Sequence, residues 1–228
     1  NPEHINISGS QLSTINSQLT ISFKESFDPN KHIIKYYCTA HSQMINAIQI
    51  NDSSKQKFLC LHGGGGTGEG IQASLLNNLI AEYGENYQFI SPTAIENNLW
   101  LRDPPNKLDG TSDPNWANSS IEQLNNLITK FGGAEKFDYI LGYSQGVPMI
   151  ITYLAKLKSE DKLNTFNKVI LLNGYLPETH NGLITLIDSQ KQMDIETFIF
   201  LGYKDPFYQL GKKIKEGNYF NNPKEVTG

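Results

Sequence analysis

The stretch Phe137-Asp138-Tyr139-Ile140-Leu141-Gly142-Tyr143-Ser144-Gln145-Gly146 decides how this chain is read. Residues 139–141 are a short apolar run, as a buried strand requires. Gly142-Tyr143-Ser144-Gln145-Gly146 then turns sharply, and residues 147–157 carry apolar side chains at helical spacing. A Gly-x-Ser-x-Gly run has physical meaning in that setting of strand, turn and helix. The turn is so tight that the neighbours two places either side of the serine must lack side chains. It lifts the serine hydroxyl above the sheet, and the helix behind it points its electropositive N-terminus at any developing negative charge. The five residues alone would be a weak signal; their flanks make Ser144 a candidate nucleophile.

Outward from this unit, the chain alternates. Apolar runs at 58–61, 87–90, 168–172 and 196–201 read as buried strands, and helical periodicity covers about 71–83, 116–131, 181–190 and 207–215. Residues 222–226 begin a last strand. Such alternation predicts an α/β fold with a mostly parallel sheet and helices on both faces. Before residue 57 the pattern differs. Residues 1–17 are polar and read as a loose arm. Residues 18–23, 33–39 and 44–50 are rich in β-branched and aromatic side chains and predict an antiparallel N-terminal edge. The expected organisation is a single domain, with an arm and edge over 1–56 and the α/β core over 57–228.

Ligands of parallel sheets lie at the carboxyl ends of the strands. The unusual loops here all follow strands: the glycine run 62–68, the long excursion 93–115, Ser144, residues 175–180, and Asp205. They are expected to share one rim.

Composition sets bounds. The 228 residues are 38% hydrophobic and 18% charged, enough for one sizeable core. The net charge of -4 gives no nucleic-acid footprint. No apolar run approaches the roughly 20 residues of a membrane helix. The two cysteines, Cys38 and Cys60, sit in apolar strand-like runs and read as buried thiols rather than a disulfide. Sequons at Asn6, Asn51 and Asn118 are chance matches in a chain rich in Asn and Ser. There is no metal-ligand cluster and no cofactor motif. The glycine run lacks the Gly-Lys-Ser/Thr of a phosphate loop, and no acidic residue ends the next strand as a dinucleotide fingerprint needs. The ends, Asn1-Pro2 and Thr227-Gly228, read as those of a segment of a longer product. The compartment stays open, with the cytoplasm the default, and oligomeric state is not legible.

Three stretches together, 58–64 (Phe-Leu-Cys-Leu-His-Gly-Gly), 142–146 (Gly-Tyr-Ser-Gln-Gly) and 200–205 (Phe-Leu-Gly-Tyr-Lys-Asp), resemble the α/β-hydrolase fold and, within it, the serine hydrolase family of small carboxylesterases, thioesterases and lysophospholipases. The resemblance runs from Phe58 to the end and leaves out the first 56 residues. It implies Ser144 as nucleophile and Asp205 as the acid that orients a histidine base. It implies an oxyanion hole built from the backbone N–H of Gln145 and that of Gly64 or Gly65. Asp205 also fits a helix N-cap before Pro206, a role compatible with the first.

The base is the difficulty. The histidines are His4, His32, His41, His62 and His180, and none follows Asp205. His62 reads as a residue holding the glycine loop, and His180 precedes the acid, the wrong order for this fold. In the family the base follows a last strand in a Gly-His turn, so residues 222–228 imply a histidine just beyond Gly228. Trp100, Arg102, Trp116, Tyr143, Tyr175 and His180 are candidate cleft residues. Arg102 either meets an acidic substrate group or pairs with Asp103 or Asp109. The aromatic residues serve either the cleft or the core. The expected function is cleavage of a small ester or thioester. The alternatives are a catalytically impaired fold used for binding or assembly and, less favoured, a peptidase.

Overall fold

The computed structural model describes residues 54–105 and 110–228, with Lys24 and the backbone of four N-terminal strands. The chain divides into two compact units, Asn1–Asp52 and Ser53–Gly228. In the first, β1 (Ile5–Gly9) pairs antiparallel with β2 (Leu19–Phe23), Ile5 opposite Phe23. β3 (Ile34–Tyr37) pairs the same way with β4 (Ile45–Ile48). β1 occupies the polar stretch expected to be a loose arm; Ile5-Asn6-Ile7-Ser8 has the two-residue alternation of a strand. Cys38 and the side chains of His4, His32 and His41 lie outside the described residues.

The second unit runs β5 (Gln56–Leu61), α1 (Gly68–Ala73), α2 (Asn77–Tyr83), β6 (Tyr87–Ile90), α3 (Asn118–Lys130), β7 (Phe137–Tyr143), α4 (Gly146–Ser159), β8 (Lys168–Leu172), α5 (Asn181–Ser189), β9 (Glu196–Leu201), α6 (Tyr208–Glu216) and β10 (Lys224–Thr227). The strands form one sheet, ordered β10-β9-β8-β7-β5-β6. Every pairing in it is parallel. The expected antiparallel edge on this sheet is therefore corrected: the N-terminal strands pair among themselves in two separate two-stranded sheets. The antiparallel character was right, but the partner was not legible, because alternation fixes a strand's faces and not its neighbour.

Successive residues of β5 and β7 feed opposite faces of the sheet. Leu59, Leu61 and Ile140 enter the larger core with Leu124, Met149, Ile150, Leu154 and Leu183 from α3, α4 and α5. Phe58, Cys60 and Leu141 enter the other with Ile71, Leu76 and Ile80 from the α1–α2 region. Both faces are thus covered, so these strands read as unbroken apolar runs. α4 is buried nearly all round, which is why its sequence shows little polar face. Its Pro148 sits in the first turn, where the missing N–H has no intrahelical partner to lose.

One expected helix, 71–83, is two. The Ser74 hydroxyl donates to the Gly70 carbonyl at 2.7 Å and its backbone leaves helical geometry. The side chain competes for a helix carbonyl and ends the first segment. Among the described residues no helix is long and apolar enough to cross a membrane.

Candidate active site

Ser144 lies directly after β7 with φ +50°, a left-handed conformation costing a non-glycine residue about 1–2 kcal/mol. Its surroundings force that bend. A β-carbon on Gly142 would stand 2.8 Å from the Gly146 carbonyl oxygen, and one on Gly146 would stand 2.5 Å from the Leu61 carbonyl oxygen. The elbow is pinned from both sides: Ser144 N–H donates to the Leu172 carbonyl at the end of β8, and Val147 N–H to the Ser144 carbonyl, each at 3.0 Å. Ser144 and Gln145 are half-buried, open to a small reactant.

The glycine run lies against the elbow. A β-carbon on Gly63 would be 3.3 Å from Ser144 Cβ, and one on Gly64 would be 3.3 Å from the Gln145 side-chain amide. Among the described residues the backbone N–H groups of Gly64 and Gln145 have no hydrogen-bond partner. The Gly65 N–H does have one. At φ +73° it turns away and donates to the Asn98 carbonyl at 2.9 Å. Of the two glycines expected to offer an oxyanion-hole donor, Gly65 has its N–H engaged and Gly64 does not among the described residues.

His62 holds this loop. The Ala94 N–H donates to Nε2 at 3.0 Å, which puts the ring proton on Nδ1, and Nδ1 donates to the Gly63 carbonyl at 2.7 Å. Burial, partly opposed by the Gly63 hydrogen bond, lowers its pKa from the ordinary histidine value, so the ring is held neutral.

Asp205 follows β9, two strands from Ser144 in the sheet. Its Oδ1 accepts the Phe207 N–H at 2.7 Å and its own N–H donates to the Gly202 carbonyl at 3.0 Å. That bond closes a turn ahead of α6, whose N-cap is Phe207, so the expected helix N-cap role of Asp205 is corrected. Between the two, Asn173 ends β8 and accepts the Gly202 N–H on Oδ1 at 2.9 Å, fixing the Asp205 loop to the next strand. The terminus joins the same place: Gly228 N–H donates to the Leu201 carbonyl at 3.3 Å and its carbonyl accepts the Tyr203 N–H at 2.9 Å.

The cleft residues divide. Tyr143, beside the serine, is 38% exposed. Tyr175 is half-buried with its ring 5.0 Å from that of Phe207. Trp100 is 2% exposed and its indole N–H donates to the His62 carbonyl at 3.0 Å. It supports the glycine loop from inside the core and does not line the cleft. His180 is 5% exposed, with Nε2 donating to the Arg102 carbonyl at 2.9 Å and Nδ1 3.1 Å from the Thr179 hydroxyl. It too is internal. Arg102 pairs through Nε with Glu96 at 2.9 Å and lies 5.2 Å over the Trp116 ring, while Asp109 lies outside the described residues. Sequence reasoning missed Asn173, Ser120 and the Gln145 side chain, whose partners lie 20 to 45 residues away along the chain.

A family model, Serine hydrolase (FSH1), matches residues 91–217. No curated protein matches the sequence. The fold is similar to that of acyl-protein thioesterase 2 from Zea mays, at 16% identity over 79% of this chain and 87% of that one, with a TM-score of 0.53. It is also similar to a predicted CIB-like hydrolase from Thermoplasma acidophilum, at 16% identity over 86% and 87% of the two chains, with a TM-score of 0.53. At such identities these likenesses speak for the α/β-hydrolase architecture alone.

Proposed function

The chain belongs to the serine hydrolase (FSH1) family, and from that premise we propose that it cleaves a small carboxylic ester or thioester through an acyl intermediate on Ser144. The observation that carries the reading is the strained Ser144 at an elbow against which the glycine run lies, with the backbone N–H groups of Gly64 and Gln145 lacking partners among the described residues. Ser144 Oγ attacks the carbonyl carbon and loses its proton to a base. The carbonyl oxygen gains the negative charge and accepts from the two N–H groups, which donate more strongly as charge develops. The C–O or C–S bond then breaks and the alcohol or thiol leaves with the proton. Water repeats the sequence on the acyl-serine and frees the acid. Tyr143 and Tyr175 stand as the cleft side chains.

Asp205 is assigned to orient the base. Two strand spacings separate it from Ser144, about 9–10 Å. An imidazole with a hydrogen bond of about 2.9 Å on each nitrogen spans a comparable gap. Neither described histidine can be that imidazole, because His62 and His180 have both ring nitrogens engaged. The base is therefore sought outside the described histidines, at a residue following Gly228. The hydrogen bonds of Gly228 to Leu201 and Tyr203, beside the Asp205 loop, support that reading. That both described histidines are engaged also favours a second reading, a base-less member used for binding or assembly.

A fluorophosphonate probe separates the two. On the folded protein it should label wild type at Ser144 and leave Ser144→Ala unlabelled. Ester hydrolysis should fall at least ~10³-fold in that variant. A well-folded wild type that takes no label supports the binding subunit instead.

A further inference from the structure

Residues 98–102 cross the elbow as a strap whose backbone is held largely by groups from elsewhere. The Asn98 carbonyl accepts the Gly65 N–H at 2.9 Å. Trp100 N–H donates to Gln145 Oε1 at 2.9 Å, and the Leu101 carbonyl accepts from Gln145 Nε2 at 2.9 Å. The Trp100 carbonyl accepts the buried Ser120 hydroxyl at 2.7 Å. The Arg102 carbonyl accepts from Trp116 Nε1 and His180 Nε2, each at 2.9 Å. The Gln145 amide thus uses both its acceptor and its donor on successive residues of the strap. A β-carbon on Gly64 would stand 3.3 Å from the same amide, so the glycine loop passes close beside it.

We infer that the Gln145 side chain is a positioning residue that sets the distance between the Gly64 and Gln145 backbone N–H groups. The inference rests on the reading of Ser144 as nucleophile. Its physical basis is the composition of the loop. Gly63 to Gly66 have no side chains to anchor them, and glycine loses more backbone freedom on ordering than any other residue. An oxyanion pocket works when its donors already stand 2.7–3.1 Å from the charge, which calls for a rigid loop. The amide ties the elbow to the strap, and the strap ties Gly65 through Asn98. Contact with Gly64 closes the ring. Such an arrangement acts on the charged transition state and leaves the neutral ground state nearly untouched, so it belongs in kcat rather than KM.

Gln145→Met keeps the length and the backbone N–H while removing both side-chain hydrogen bonds. With a p-nitrophenyl ester of a short acid, kcat is expected to fall about 10- to 100-fold with KM changed less than about threefold. Amide exchange over 63–66 and 98–101 should accelerate. Gln145→Glu supplies an independent readout. Its protonated carboxyl can accept from Trp100 and donate to Leu101, whereas the carboxylate cannot donate. Because only the protonated form can donate to Leu101, the half-buried site raises its pKa above the ordinary Glu value of about 4.3, and the ratio of its kcat to that of wild type should decline as pH rises from about 5 to about 8. Taking the ratio removes titrations common to both proteins, that of His62 included. A Gln145→Met kcat within about twofold of wild type, or a flat Gln145→Glu ratio, overturns the inference. Should Gln145→Met fail to fold, the Gln145→Glu ratio decides alone. If Ser144→Ala is as active as wild type, the nucleophile reading has failed instead. Unchanged exchange in Gln145→Met then overturns the clamp itself.

Discussion

Ser144 and His62 show how single residues are placed under tension for the sake of a site. Ser144 holds φ +50° although it has a β-carbon. Replacing it with glycine removes that penalty at some cost in unfolded-chain entropy, while alanine keeps the penalty. Ser144→Gly is therefore expected to be more stable than Ser144→Ala by about 0.5–1 kcal/mol, read from thermal melts, with both inactive. Equal melting temperatures would mean that the elbow stores no strain at this residue. His62 carries a different tension. Its Nε2 must accept from Ala94, so a proton there would face another donor. Its folded pKa is lowered, by burial first, below the unfolded value of about 6.5. The unfolded chain therefore takes up this proton more readily. The stability tied to the neutral ring is complete above about pH 6.5 and is lost as pH falls through the lower folded value. Acid unfolding followed by circular dichroism should show this loss, and His62→Gln, which cannot titrate, should flatten that part of the profile. An unchanged profile in His62→Gln would refute the assignment.

At the scale of elements, the elbow is a junction of β5, β7 and α4 with no space left in it. A β-carbon on Gly146 would meet the Leu61 carbonyl oxygen at 2.5 Å and Leu61 Cβ at 3.0 Å, and both belong to a central strand that cannot retreat. Gly146→Ala should cost about 1–3 kcal/mol in urea unfolding and shift Ser144, lowering activity beyond the loss of stability. Wild-type stability in that variant would show that β5 and α4 can separate. Much of this junction was legible, because strand, turn and helix are local patterns and the serine sits at a fixed place among them. The order of strands and helices from Phe58 onward was legible for the same reason. What resisted reading depends on partners far along the chain. Gln145 gives no hint that its amide binds Trp100 and Leu101, and Asn173 gives none that it holds Gly202. Trp100 misled because an indole has an apolar body and a polar edge; it suits a cleft or a core equally, and burial decides. Gly65 misled because four successive glycines look alike until the backbone turns.

For the α/β unit as a whole, the central sheet makes two cores into one cooperative body. Leu59 and Leu61 face one core while Phe58 and Cys60, in the same strand, face the other. Neither core can dissolve without exposing a strand that the other needs. Each core carries its own reporter. Trp100 lies in the first at 2% exposure, and its partner tryptophan, Trp116, packs against that core. Cys60 lies in the second at 0% exposure, its thiol pushed to a high pKa by burial and so unreactive while the sheet stands. In a Cys38→Ser background Cys60 is the sole thiol. Urea titrations followed by tryptophan fluorescence and by thiol labelling should then give one midpoint, as a two-state unit requires. Thiol labelling at lower urea than the fluorescence change would mean that the α1–α2 face opens alone. Ser144 sits where β7 meets α4 over the Trp100 core, so its geometry would then depend on that core and not on the whole sheet.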